Sequence, residues 1–367
     1  MFIQIIKRNG LLSFLSLLAL LSSYSLPPKL SYIDWHVIAL LFNLMVVVVA
    51  LQHYKLLDFI ALRLLMRCNS ERHIGRIMLG LCFVIAMLVT NDVALISFVP
   101  LTLLLSYKVA INPVRMVVLE TLAANLGSSF TPLGNPQNLF LFAYYHYSLS
   151  QFLATTLILV LLGAGFLWSL SYKFSSEQLA VDVKPANLVN GQQIILFSGL
   201  FGLILLSIAQ LFDYRYVTLI VIVVTLISAP AILRQVDYGL LLTFIAFFIL
   251  IGNLANLAVV ASFLQQLLAG KLMTFCLALG LSQLISNVPS SILLAPFTAA
   301  QTELVWGVNV GGMGTLIASM ASVISYRLFI RAYPTQNGAF LKMFTGYNLL
   351  GLVLFALVLL PYLYWWS

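Results

Sequence analysis

Charge is what this sequence has least of: Asp, Glu, Lys and Arg make up 8% of it, against 62% hydrophobic residues. A soluble domain cannot cover its surface with so few charges, so the chain reads as an all-α polytopic membrane protein. Cysteine is scarce too. Cys68, Cys82 and Cys276 have no paired spacing and no histidine at ligand spacing, which argues against a disulfide framework and a metal site. The last histidine is His146. No His-Glu-x-x-His, Walker loop or nucleophile elbow occurs, and an intramembrane serine protease would want a histidine downstream of Gly280-Leu281-Ser282-Gln283. Neither an enzyme activity nor a cofactor is expected. The net charge of +8 needs no nucleic acid, because membrane topology accounts for it.

Long polar segments are also missing, apart from the linker at 173–191. What is present is a series of apolar runs. The run Ile77 to Leu105 would measure about 43 Å as one helix, too long for a ~30 Å hydrocarbon core and too short for two full spans with a turn. Its polar break, Thr90-Asn91-Asp92, lies in the middle, and basic residues flank both ends. The spacing predicts a re-entrant hairpin, residues 74–107, whose tip lines a cavity, since broken backbone at membrane depth needs protein or water around it. A second copy follows at 271–300, with Ser286-Asn287 at its tip; Asn91 precedes Pro100 and Asn287 precedes Pro296 at the same interval. What comes after each hairpin repeats as well. Asn125-Leu126-Gly127 leads to Thr131 as Asn309-Val310-Gly311 leads to Thr315, giving broken helices at 113–147 and 302–331. Asn112-Pro113 and Asn135-Pro136 are helix starts, with the break at Gly127 to Asn135. Two such copies around a midplane cavity are the mark of secondary transporters.

The first repeat takes residues 1–172, the linker and a connecting span 173–211, and the second repeat 212–367. About nine full spans and the two hairpins fit these lengths. The run Leu11 to Leu21 is a retained first span rather than a signal peptide, because no small-x-small cleavage site follows it. Residues 53–75 read as a basic amphipathic helix on the inner interface, and Tyr362, Tyr364, Trp365 and Trp366 as an interfacial anchor. On this map fifteen Lys/Arg fall inside and three, Lys29, Arg215 and Lys271, outside. That bias places the N-terminus in the cytoplasm and the C-terminus outside the inner membrane, and turns the second repeat upside-down relative to the first.

The polar residues at the tips and breaks are the candidate site. Asn91 and Asn287 either cap half-helices or hold a ligand, and the same turn can do both. Gly127, Gly134, Gly311 and Gly312 concentrate at the breaks, where an unwound backbone approached by a ligand fits better than ordinary close packing. Ser128, Thr131, Asn135 and Asn138 add side-chain donors and acceptors, joined by Thr90, Asn125, Ser286, Ser290, Asn309, Thr315 and Ser319. Asp92 is either a proton or ion site or an N-cap facing a helix dipole. Glu120 is either a protonation site or the partner of an arginine such as Arg115.

The tip at Thr90 to Asp92, the stretch Asn125 to Asn138 (Asn-Leu-Gly-Ser-Ser-Phe-Thr-Pro-Leu-Gly-Asn-Pro-Gln-Asn) and the tip Ser286-Asn287-Val288-Pro289 resemble the ion transporter superfamily. That group holds divalent anion:sodium symporters, citrate-transporter-like permeases, arsenite permeases and some sodium/proton antiporters. Thr-Asn-Asp looks most like the arsenite-permease-like branch, and the whole chain is similar to short, uncharacterised bacterial inner-membrane permeases of it. The resemblance implies tip ligands at Asn91 and Asn287, with sodium ions near them, and Asn135, Pro136, Thr315 and Ser319 at the breaks. It also implies a scaffold and a transport domain, a homodimer, elevator motion, and a small ion or small molecule as substrate. This sequence departs from the Ser-Asn-Thr tips and from the Pro-Pro-Asn ending of the second break. The expected function is a small-anion permease coupled to sodium or protons; a cation/proton antiporter or metalloid efflux permease using Asp92 is the alternative.

Overall fold

The computed structural model describes residues 16–20, 22–23, 27, 29–108, 111–178 and 189–365. The expected first span and most of the linker lie largely outside these. Among the described residues every regular element is a helix, with one isolated bridge between Ser70 and Gln178. The first half contributes α1 (Trp35–His53), α2 (Leu56–Leu65), α3 (Glu71–Leu88), α4 (Asn91–Lys108), α5 (Pro113–Ser128), α6 (Pro136–Tyr144) and α7 (Leu149–Ser171). The second contributes α8 (Gly191–Ile208), α9 (Tyr214–Ser228), α10 (Tyr238–Ala255), α11 (Ala258–Leu267), α12 (Lys271–Ile285), α13 (Asn287–Leu294), α14 (Gln301–Gly311), α15 (Met320–Ala332) and α16 (Asn337–Trp365).

Helix starts follow local chemistry. Asn112 Oδ1 accepts from Arg115 N at 3.1 Å and Asn135 Oδ1 from Asn138 N at 2.8 Å, each followed by a proline that has no N–H to lose. Five stretches are long and apolar enough to cross a membrane: α1, α7, α8, α10 and Pro334–Leu363. α9 is apolar and stops at Ser228, before Pro230. α11 and α12 meet at 109°, so the amphipathic stretch before the second apolar run is a separate helix. The basic stretch 53–75 is divided likewise: α2 ends at Leu65, and Ser70, accepting from His73 N at 3.3 Å, starts α3. Arg72 and Arg76 therefore belong to α3 itself.

The packing repeats between the halves. α3 packs along α5, as α12 packs along α14. Both contacts are close. A Cβ on Gly127 would come within 2.0 Å of the Phe83 carbonyl, and one on Gly311 within 2.7 Å of the Ser282 side chain. The second limbs cross over: α4 packs on α15, and α13 packs on α6. The cores of the two halves are thus interlocked around the helix breaks. α1 packs beside them with α8 and α9.

Candidate functional site

Each tip turns on a non-glycine residue with positive φ: Thr90 at 137° and Ser286 at 76°. Such backbone costs free energy, most of all for a β-branched residue, and it persists where the surroundings over-determine it. The surroundings are the two loops between the broken helices. Asn91 N donates to Gly134 O at 3.0 Å, and Ser286 Oγ to Ala318 O at 3.4 Å. Thr131 Oγ1 donates to the Met87 carbonyl, and Thr315 Oγ1 to the Gln283 carbonyl at 3.0 Å. In both halves the loop threonine satisfies a carbonyl at the end of the first limb, where the helix has run out of partners. Gln283 adds to the second loop, donating to Gly311 O at 2.7 Å and Met313 O at 3.0 Å.

Two asparagines tie the halves together. Asn125 Oδ1 accepts from Asn91 at 3.0 Å and from Ser319 Oγ at 3.1 Å, while its Nδ2 donates to Ser322 at 3.1 Å. Asn309 Nδ2 donates to Asn138 at 2.7 Å, and its Oδ1 accepts from Asn135 at 3.2 Å. Each asparagine, near the end of one first half-helix, bonds to the start of the other repeat's second half-helix. Asn135 also donates to the Ser128 hydroxyl at 3.2 Å, and Asn138 to the carbonyls of Ser128, Ser129 and Thr131. These networks are buried and satisfied, so they hold the breaks open.

One cavity of about 350 Å³ lies between the tips. Of the residues the sequence singled out, Asn91, Asp92, Pro136, Asn287 and Ser319 line it. Asn125, Gly134, Asn135 and Asn138 stand behind it as supports, and Thr90 caps its own helix through Val93 N at 3.4 Å. Ser290 donates to the Ser286 carbonyl at 2.8 Å, and the Gly312 backbone packs on the Asn287 amide. Asn91, Pro136, Asn287 and Met320 are the first residues of α4, α6, α13 and α15. Four helix N-termini thus open on one space, each adding the positive end of a dipole to it. Asn287 is 5% exposed, yet its Nδ2 has no hydrogen-bond partner among the described residues.

Three charged groups share the cavity: Asp92, Asp237 and Arg327. Among the described residues none of them pairs with another. Asp237 and Arg327 carry no local signal: one reads as a helix cap and the other as one more basic residue near a helix end. Gln137 and Thr243 complete the polar lining. Glu120 is elsewhere. It is fully buried between α5 and α4, accepts from Thr102 Oγ1, and leaves Oε2 without a partner among the described residues. Arg115 is not its partner, since that guanidinium donates to Lys173 O at 2.6 Å.

The family model of the citrate transporter matches residues 1–306. The chain belongs to the citrate transporter family. An uncharacterized transporter of Methanocaldococcus jannaschii is 32% identical over 301 residues, 81% of each chain. The inner membrane protein YbiR of Escherichia coli is 32% identical over 311 residues, 81% of this chain and 80% of its own. A 46 kDa membrane protein of Mycobacterium leprae is 26% identical over 335 residues, 80% of this chain and 78% of its own. As a citrate transporter family member with several membrane-length apolar helices, the protein is a multi-pass membrane transporter, not an enzyme.

Proposed function

We propose that this citrate transporter family member is a secondary active permease for a small anion in the cytoplasmic membrane, coupled to sodium or protons. The observation that carries the reading is the convergence of four helix N-termini on one cavity. An anion there meets the positive ends of four dipoles, with the Asn287 amide as an unspent donor. Arg327 supplies a formal positive charge, and Asp92 and Asp237 suit the coupling cation or proton. Sodium near Asn91 and Asn287 fits the same lining.

The matched hydrogen bonds of Thr131 and Thr315, and of Asn125 and Asn309, support an inverted two-fold repeat. Adding α9, the two broken helices and the N-terminal run to the five long stretches reaches about nine spans. With the basic flanks inside, Asp237 and Arg327 lie toward the cytoplasm, so the cavity opens inward. Alternating access then moves the tips between the two openings.

Uptake into proteoliposomes of a panel of small anions, with and without a sodium or pH gradient, tests the reading. Gradient-driven entry of one anion is expected. Failure of every anion, with sodium or a metalloid moving instead, overturns it. The pair of carboxylates favours one second reading, a cation/proton antiporter or metalloid efflux permease using Asp92. Asp92→Asn separates the two: an antiporter stops dissipating a pH gradient and exchanges no anion, whereas an anion carrier that uses Asp92 for coupling loses gradient-driven accumulation and keeps exchanging anions.

A further inference from the structure

Away from the cavity, four cations gather where α7 ends. Arg72 donates to the Phe174 carbonyl at 3.1 and 3.2 Å, Arg76 to Ser171 Oγ at 3.2 Å, and Arg115 to the Lys173 carbonyl at 2.6 Å. The Arg76 guanidinium lies 4.4 Å from the Trp168 ring centre and 4.9 Å from that of Tyr172, and Arg72 is 5.7 Å from Tyr172. Lys173 is exposed beside them. Of the carboxylates on these segments, Glu71 is spent on the backbone N–H groups of Asn112 and Ser175, at 3.2 and 3.0 Å, and Glu177 is exposed. Among the described residues no carboxylate pairs with any of the four cations. Their bonds use only part of the guanidinium forks, and the Arg115 Nε is buried without a partner.

We infer that this cluster binds the headgroup phosphate of an anionic phospholipid in the cytoplasmic leaflet. The inference rests on the orientation given above, not on the transport reading. Like charges held together with no carboxylate paired to them call for an anion, and a bidentate fork fits phosphate. The neighbouring helix face says that this anion carries acyl chains. Leu157, Leu161 and Trp168 along α7, and Tyr172 just past its end, follow one another at helical spacing, and all are exposed, Leu161 to 62%. The two aromatic rings stand at headgroup level and the two leucines run on into the hydrocarbon. A free anion would use the guanidiniums and leave this stripe unexplained.

The test is native mass spectrometry of the full chain in detergent, titrated with phosphatidylglycerol or phosphatidylcholine of the same acyl chains. Phosphatidylglycerol is expected to bind more tightly. Arg76→Gln should weaken it about fivefold, ~1 kcal/mol, without changing phosphatidylcholine binding. Lys173→Gln, which removes an exposed charge and no described hydrogen bond, should weaken it in the same direction if Arg76→Gln fails to fold. Arg63→Gln is the control. It removes an exposed arginine of α2, outside the cluster, and should leave binding unchanged. Equal binding of the two lipids, an equal loss in Arg63→Gln, or displacement of the lipid by millimolar inorganic phosphate overturns the inference.

Discussion

Asn91 and Asn287 do different jobs within one cavity. Asn91 is anchored: its Nδ2 holds Asn125, and its Oδ1 accepts from Asp92 N at 3.0 Å. Asn287 keeps its amide nitrogen free of protein partners among the described residues. Losing one good polar contact in a desolvated site costs ~1–3 kcal/mol, roughly ten- to a hundredfold in affinity. Asn287→Ala should therefore raise the apparent KM for the transported substrate by about that factor while leaving the melting temperature in detergent unchanged. Asn91→Ala should lower both uptake and melting temperature, because the Asn125 network loses a member. At Glu120 the expected effect is structural. Thr102→Val removes its one described donor and should cost about 1–3 kcal/mol of stability, read as earlier thermal aggregation. The tips were legible in the sequence because an Asn inside an apolar run is conspicuous. Asp237, Arg327 and Thr102 were not, because each matters only through a neighbour far away in the chain.

At the scale of helices, the breaks were visible and their partners were not. Asn-Pro pairs, clustered glycines and a matched interval are local features that mark where α5, α6, α14 and α15 begin or end. The cross-over of α4 onto α15 and α13 onto α6 is tertiary and leaves no periodic trace. The close approach of α3 to α5 gives a direct test. Gly127→Ala forces a Cβ against the Phe83 carbonyl and should abolish folded protein on size exclusion, whereas Gly80→Ala, with open space around it, should behave as wild type. Gly311→Ala should lie between them, because its nearest obstacle is the side chain of Ser282 rather than backbone.

For the whole molecule, the cavity's opening sets which side reaches the tips first. In a background with exposed Cys276 replaced by serine, Asn91→Cys and Asn287→Cys should both react with a small impermeant thiol reagent applied from the cytoplasmic side, and substrate should protect both. Labelling of one tip only, with no protection, would mean that the tips do not share a ligand. The interlocked limbs also bear on how the chain is made. α4 ends at Lys108, but the helix it packs against begins at Met320, so the polar tip at Asn91 is synthesised long before Ser319 and Ser322 arrive to hold Asn125. Until then the first half is an unfinished object in lipid, with amides that have only one another or stray water to bond. Quality control during biogenesis thus has a natural checkpoint late in translation: a ribosome that stops short of α15 leaves a product already inserted but not assembled, and therefore one for the membrane proteases.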